Sequence, residues 1–286
     1  KKLDDHISYR NDSSEVSICN RSYAIDGTFP MSSDICSYVK KELTIAEETD
    51  GAFCPCILPL SQVWGIEFGN TEVPGQVAIN EALMHLNYKN IEVMDGGLIF
   101  HDTDMKIDFG ATGKGIAADL VMDELRRQNV PGAVVSIGGT IAVYGDKGTG
   151  KMWHIGVQDP RDEDGKVLGV LEVNGYSVVS TSGDYEKYFE VDGKRYHHIL
   201  DPHTGYPADN GLISVTIVSP NGFLSDALST ACFVMGLEDG MRDAAVKDDH
   251  IFYAGTNCLN AAFHLRDHTA GDDALREQRR GFLHGQ

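Results

Sequence analysis

The sequence predicts an α+β protein, with mostly antiparallel sheet and packed helices, from three observations. Short apolar, β-branched runs follow one another between positions 133 and 218, as strands do. Asn174-Gly175 and Asp192-Gly193 are hairpin-turn dipeptides, because both central positions of such turns favour positive φ. Three longer stretches, at 32–49, 116–128 and 226–235, carry helix-period apolar spacing.

Taken in order, Ile35, Val39, Leu43 and Ala46 mark the first helix, and Asp50-Gly51 stops it. Residues 76–86 read as a second helix, and 91–94 with 98–101 as a hairpin about Asp95-Gly96-Gly97. In the helix at 116–128, Ala117, Leu120, Val121 and Leu125 share one apolar face. Strands follow at 133–137, 141–144, 153–157, 167–173, 177–180 and 214–218, and then a buried helix at 226–235. Residues 1–265 read as one domain and the polar stretch 266–286 as a flexible tail.

At 286 residues, 42% hydrophobic and 23% charged, the chain can bury a sizeable core. It has no apolar run of the length that spans a membrane. It starts at Lys1 without a signal-peptide pattern, and so reads as mature or trimmed. Acidic residues outnumber basic ones 43 to 24, for a net charge of −19, which argues against a nucleic-acid partner. A small phosphorylated ligand stays open, since a metal ion and a few local donors override a global field. Six cysteines occur without a CxxC or Cys/His zinc pattern. Cys54-Pro55-Cys56 is bridged, free or metal-bound.

Four segments carry the chemistry: Asp108-Phe-Gly-Ala-Thr-Gly-Lys-Gly115, Ser182-Gly-Asp-Tyr185, His198-Ile-Leu-Asp-Pro-His-Thr-Gly205 and Ser225-Asp-Ala-Leu-Ser-Thr230. Gly113-Lys-Gly115-Ile-Ala-Ala118 fits GxGxxA, but the next strand ends in Gly138-Gly139 with no ribose-binding acid, so the dinucleotide unit is incomplete. A Walker loop would need Ser or Thr after Lys114, where Gly115 stands. What remains is backbone that a ligand can approach, leading into a helix N-terminus that favours an anion. Asp108 there suits a ring N–H or a hydroxyl.

Asp226 and Thr230 lie four apart on one helix face. They are either a hard-oxygen pair of the kind magnesium prefers or a first-turn acid above a packed threonine. His197-His198 supplies a general base or phosphate donor, or a satisfied structural histidine. Trp64 stacks on a flat ring or packs. Tyr185, Tyr188 and Tyr196 read as sheet and loop surface.

In this order the segments resemble the FAD:protein FMN transferase (ApbE) family. Tyr9-Arg-Asn-Asp-Ser, Thr49-Asp-Gly-Ala-Phe53, Leu58-Pro-Leu, Val63-Trp-Gly65 and Gly138-Gly139 add to the likeness. It implies a T-fold-like α+β architecture that binds FAD and a divalent cation, Mg²⁺. It also implies transfer of FMN from FAD to a Ser or Thr hydroxyl of a membrane-associated flavoprotein, with release of AMP. By resemblance, Asp226, Thr230 and the main-chain oxygen of Ala111 are metal ligands. Tyr9, Trp64, Gly65, Ile66, Asp108, Lys114, Ser182, Gly183 and Ile199 match flavin-nucleotide contacts, and His198 the catalytic base. An extracytoplasmic location follows from the same likeness. Two features depart from the family: a Met-Gly-Thr strand upstream is missing, and Cys54-Pro55-Cys56 replaces Asp-Pro-Thr. Two other readings keep the FAD site: a pyrophosphatase that uses water as nucleophile, and a flavin-storage module without turnover.

Overall fold

The computed structural model describes residues 3–22, 28–145, 147–148, 150–162, 164–247, 250–255 and 262–264. The expected tail at 266–286 lies outside them. Helices α1 (Asp4–Ile7), α2 (Glu15–Arg21), α3 (Ser33–Glu48), α4 (Leu58–Trp64) and α5 (Gln76–Leu83) fill the N-terminal third. Strands β1 (Thr28–Pro30), β2 (Ile91–Met94) and β3 (Gly97–Phe100) form a small antiparallel sheet, in the order β1-β3-β2. Helix α6 (Gly113–Arg127) precedes β4 (Ala133–Ile137), β5 (Thr140–Tyr144), β6 (Trp153–Gln158), β7 (Val167–Val173) and β8 (Ser177–Gly183). Then come β9 (Tyr188–Val191), β10 (Lys194–His197), β11 (Leu212–Ser219), α7 (Gly222–Met235), α8 (Leu237–Lys247), β12 (His250–Gly255) and β13 (Ala262–His264).

Among the described residues the main sheet has six strands in the order β13-β12-β11-β8-β5-β4, each pair antiparallel. Side chains alternate across it. Ala142, Tyr144 and Val178 meet Ala118 and Met122 of α6 on one face, while Val143 and Val179 meet Ile155 and Val173 of the β6–β7 hairpin on the other. Helix α7 packs beside α6, its Leu228, Cys232 and Phe233 against Val215 and Ile217 of β11. The larger core lies among α2, α3, α4 and β1–β3, around Val16, Ile35, Val39, Leu60 and Leu98.

The α+β class and the antiparallel pairing stand as read from sequence. Asp192 and Gly193 both take positive φ and close the β9–β10 hairpin. Asn174-Gly175 does something else: it joins β7, which pairs with β6, to β8 of the main sheet. The apolar face of α6 is also rotated from the one expected. Leu120 and Val121 are 45% and 40% exposed, and Gly115, Ile116, Ala118 and Met122 are buried. The reason is Gly115, where a Cβ would lie 1.9 Å from Gly222 O on α7. That backbone contact sets which side of α6 faces inward.

Candidate functional site

The two helix N-termini meet at this glycine contact, and the site is built on it. Lys114 Nζ lies 3.0 Å from Asp226 Oδ1, and the Gly115 N–H donates to Asp226 Oδ2 at 3.0 Å. Asp226 sits one turn inside α7 with 2% exposure, so it does not cap its own helix. Burial raises its carboxyl above the ordinary value, while the Lys114 charge and the Gly115 N–H pull it down. Next to it, the Ser182 hydroxyl at the end of β8 is 2.8 Å from Ser229 Oγ and 3.2 Å from Thr230 Oγ1. A buried carboxylate one helical turn from a hydroxyl offers hard-oxygen donors of the kind Mg²⁺ takes, and Lys114 Nζ, beside that carboxylate, also lies 3.4 Å from Gly110 O in the loop that carries Ala111. At Gly138 in the β4–β5 turn, with φ +56°, a Cβ would press on the Lys114 side chain at 3.3 Å. Gly138 thus makes room for that lysine, while Gly139, where a Cβ would lie 2.8 Å from Thr181 O, lets β5 approach β8.

Asp108 stands at the entrance to the glycine-rich loop. Its N–H donates to Pro55 O at 2.9 Å, and its Oδ1 accepts from the Gly110 N–H at 3.0 Å. Burial, together with the nearby Glu67 charge, raises its carboxyl to about 6. Pro55 thus supports the loop, and its flanking thiols are reduced, with Cys54 and Cys56 Sγ 3.5 Å apart. The hydrogen bond to Cys54 and burial push the Cys56 thiol far up, so it is an inert core group. Beneath the same loop Thr112 donates to the fully buried Glu42 at 2.7 Å, and Glu42 Oε2 has no partner. Burial lifts the Glu42 carboxyl well above its usual value.

His198 follows β10. Its Nδ1 is 3.2 Å from the Lys187 carbonyl, which also accepts the His198 N–H at 3.1 Å. A carbonyl only accepts, so Nδ1 carries the proton and Nε2 keeps its lone pair. Burial, reinforced by the Lys187 charge, lowers the imidazole to about 4. His197 is the structural member of the pair. It is buried, donating from Nε2 to Ala208 O at 3.0 Å and accepting from the Ile199 N–H at Nδ1. Ile199 itself is buried in the core under α7.

Glu67 was not apparent from sequence. Lys187 Nζ and Arg10 both bond its carboxylate, and the Tyr9 hydroxyl donates to it at 2.8 Å. Burial alone would raise it, but the Lys187 hydrogen bond and charge, with Tyr9 and Arg10, hold it at about 2. Glu67 therefore joins Tyr9 to the lysine whose carbonyl holds His198, and its charge is felt at both His198 and Asp108. The Tyr9 hydroxyl is pushed up to about 12, chiefly by burial.

Trp64 is 1% exposed, its Nε1–H donates to Gly205 O at 2.8 Å, and it stacks on Tyr196 with centroids 5.6 Å apart. The indole packs, so the Trp64-Gly65-Ile66 turn can offer a ligand only its main chain. Gly65, with φ +60°, ends α4 there. Gly183 is buried, and Asp184 of the same segment takes both Arg161 guanidinium nitrogens at 2.7 and 2.6 Å. A separate group, His85, Asp102 and Asp104, also has cation-binding spacing. It contains none of the expected ligands, and its His85 Nδ1 already contacts both Asp102 oxygens at 3.0 and 2.9 Å.

The fold and this site define an α+β protein with a buried acid, an ammonium and hydroxyls gathered at paired helix starts. Residues 1–252 match the ApbE family, and the chain belongs to it. It is 38% identical over 203 residues to the FAD:protein FMN transferase of Klebsiella pneumoniae (strain 342), covering 70% of this chain and 62% of that protein. It is 35% identical over 249 residues to the protein of the same name from Treponema pallidum (strain Nichols), covering 81% of this chain and 68% of that one. The chain therefore spans under two thirds of the Klebsiella relative. Among solved structures, the ApbE protein of Thermotoga maritima superposes with a TM-score of 0.83 at 34% identity, covering 93% of this chain and 86% of that one. The apo flavinyl transferase ApbE of Pseudomonas stutzeri gives 0.81 at 29% identity, covering 100% and 86%.

Proposed function

We propose that this chain transfers FMN from FAD to a Ser or Thr hydroxyl of a flavoprotein and releases AMP. The observation that carries the reading is the meeting of Asp226, Lys114 and the Ser182, Ser229 and Thr230 hydroxyls at the α6–α7 contact. Asp226, Thr230 and the Ala111 carbonyl would hold Mg²⁺, which when bound offsets charge on the pyrophosphate. Lys114 Nζ adds positive charge at the same place. His198 Nε2 takes the acceptor hydroxyl's proton as that oxygen bonds to the FMN phosphorus. The pyrophosphate P–O bond breaks, and AMP leaves as the anion. With its imidazole lowered to about 4, His198 is in the unprotonated form that a general base needs at pH 7. Asp108 accepts a ring N–H or ribose hydroxyl and orients the nucleotide. Tyr9, the Trp64-Gly65-Ile66 main chain, Ser182, Gly183 and Ile199 shape the rest of the flavin pocket.

By the family resemblance, the proposed acceptor is a membrane-associated redox protein and the proposed location extracytoplasmic. Among the described residues no helix is long and apolar enough to cross a membrane. The test separates binding from turnover. His198→Ala should bind FAD as the unaltered protein does and lose transfer. Asp226→Ala should lose Mg²⁺-dependent turnover while its FAD affinity falls by less. Wild-type rates in His198→Ala would remove the histidine from the chemistry. Equal loss of binding and turnover in Asp226→Ala would make that residue a structural element.

A further inference from the structure

We infer that Asp119 is a positioning residue that sets the distance between Lys114 and Asp226, by taking the first backbone N–H groups of α7 across the helix contact. The inference rests on the metal-assisted reading above. The first four N–H groups of a helix, counted from its N-cap, lack partners within it, and here all four are accounted for, beginning with Asn221 N–H, which donates to Ser219 Oγ at 3.3 Å. Gly222 N–H donates to Asp119 Oδ1 and Oδ2 at 2.9 and 3.0 Å, and Phe223 N–H to Oδ2 at 3.2 Å. Leu224 N–H goes to Asn221 Oδ1 at 3.0 Å, and the helix's own bonding starts with Ser225 N–H to the Asn221 carbonyl at 2.9 Å.

Half of the α7 cap is therefore supplied by α6. The exchange is mutual, since Asp226 of α7 takes the Gly115 N–H of α6. Gly115 and Asp119 are four apart on α6, and Gly222 and Asp226 four apart on α7, so each pair shares a face. Glycine at both crossing points lets the backbones touch: a Cβ on Gly222 would lie 2.5 Å from Gly115 O and 2.7 Å from Asp119 Oδ1. Asp119 is itself fixed by the Tyr176 hydroxyl, and the Arg126 guanidinium lies 4.1 Å over the Tyr176 ring. Its negative charge also favours the positive end of α7. Freeing Gly222 would let α7 shift along α6 and carry Asp226 away from Lys114.

Asp119→Ala should speed amide exchange across residues 222–226 by about tenfold in the metal-free protein, as expected when a local constraint is lost. The Mg²⁺ concentration that half-saturates FAD-fluorescence quenching should rise by at least about tenfold, the scale for groups that orient metal ligands, with turnover at saturating Mg²⁺ kept within about threefold. Asp119→Asn, which retains one acceptor oxygen, should restore the half-saturation point to within about threefold of the unaltered protein. Unchanged exchange, or a fall in turnover with no change in Mg²⁺ dependence, would overturn the inference. An Asn variant as impaired as the Ala one would overturn it too. Should Asp119→Ala not fold, Tyr176→Phe replaces it, with a smaller shift expected in the same direction; no shift would count against the inference. If the unaltered protein shows no Mg²⁺ dependence, the metal reading fails, and the exchange result alone decides on Asp119.

Discussion

Gly115→Ala probes the helix contact most severely. The added carbon would sit 1.9 Å from Gly222 O, 2.4 Å from Gly222 C and 2.9 Å from Asp226 Cβ. An ordinary non-bonded contact needs about 3.5 Å, so the helices must part by on the order of 1.5 Å. Two of the three atoms struck are backbone, so no rotamer change relieves the clash. Overpacking costs about 1–3 kcal/mol, and a backbone collision belongs at the upper end. At 2–4 °C per kcal/mol for a chain of this size, the melting midpoint should fall by about 6–12 °C. The same movement stretches the Lys114–Asp226 pair from 3.0 Å, so the Mg²⁺ half-saturation point should rise as well. Thermal unfolding by circular dichroism and an Mg²⁺ titration with FAD read both effects. A midpoint within about 2 °C of the unaltered protein, which is under 1 kcal/mol, with unchanged Mg²⁺ dependence would refute the close-contact argument.

Two further predictions concern protons. Burial and the Lys187 charge lower His198 from 6.5 to about 4, so it stays unprotonated through neutral pH, whereas Asp108 takes up its proton near 6. In Asp108→Asn, transfer should keep its pH dependence down towards 4, and an acid inflection between about 6 and 7 that survives in that variant would count against His198 as the base. Burial raises the Glu42 carboxyl above its ordinary 4.5, so the folded protein holds a proton that the unfolded chain releases. Stability from this group is then full below 4.5 and is lost as pH rises through the folded value. Glu42→Gln should therefore gain on the unaltered protein as pH rises from about 5 to 8, because the glutamine cannot ionise; parallel stability curves would show an unperturbed acid.

What the sequence showed and what it hid differ in range. The α3 register, the β2–β3 and β9–β10 turns and the buried run of α7 were legible because each depends on spacing within one element. The α6 face was misread because the choice rests on Gly115, whose value is the absence of a side chain against another helix. The candidate site divides the same way. The four-residue interval puts Asp226 and Thr230 on one face but fits a first-turn acid above a packed threonine as well, and it is the family resemblance that singles them out, as it does His198. Glu67 stays hidden, since its partners Tyr9, Arg10 and Lys187 are 58, 57 and 120 residues away. Asp119 reads as one more acid on an amphipathic helix until its partners on α7, about 100 positions on, are known. The adjacent histidines look alike in sequence. Only the Ala208 carbonyl and Ile199 N–H separate the satisfied His197 from His198 with a lone pair to use.

The central claim is tested most directly by incubating the chain with FAD, Mg²⁺ and a candidate acceptor domain. Acid-stable flavin fluorescence is read on a denaturing gel, and AMP release is followed in parallel. The account predicts a fluorescent acceptor band that grows in step with AMP, and neither signal when Mg²⁺ is chelated. AMP released with no labelled acceptor would mean that water is the nucleophile. FAD bound with no AMP would contradict the account outright and leave a flavin-storage protein.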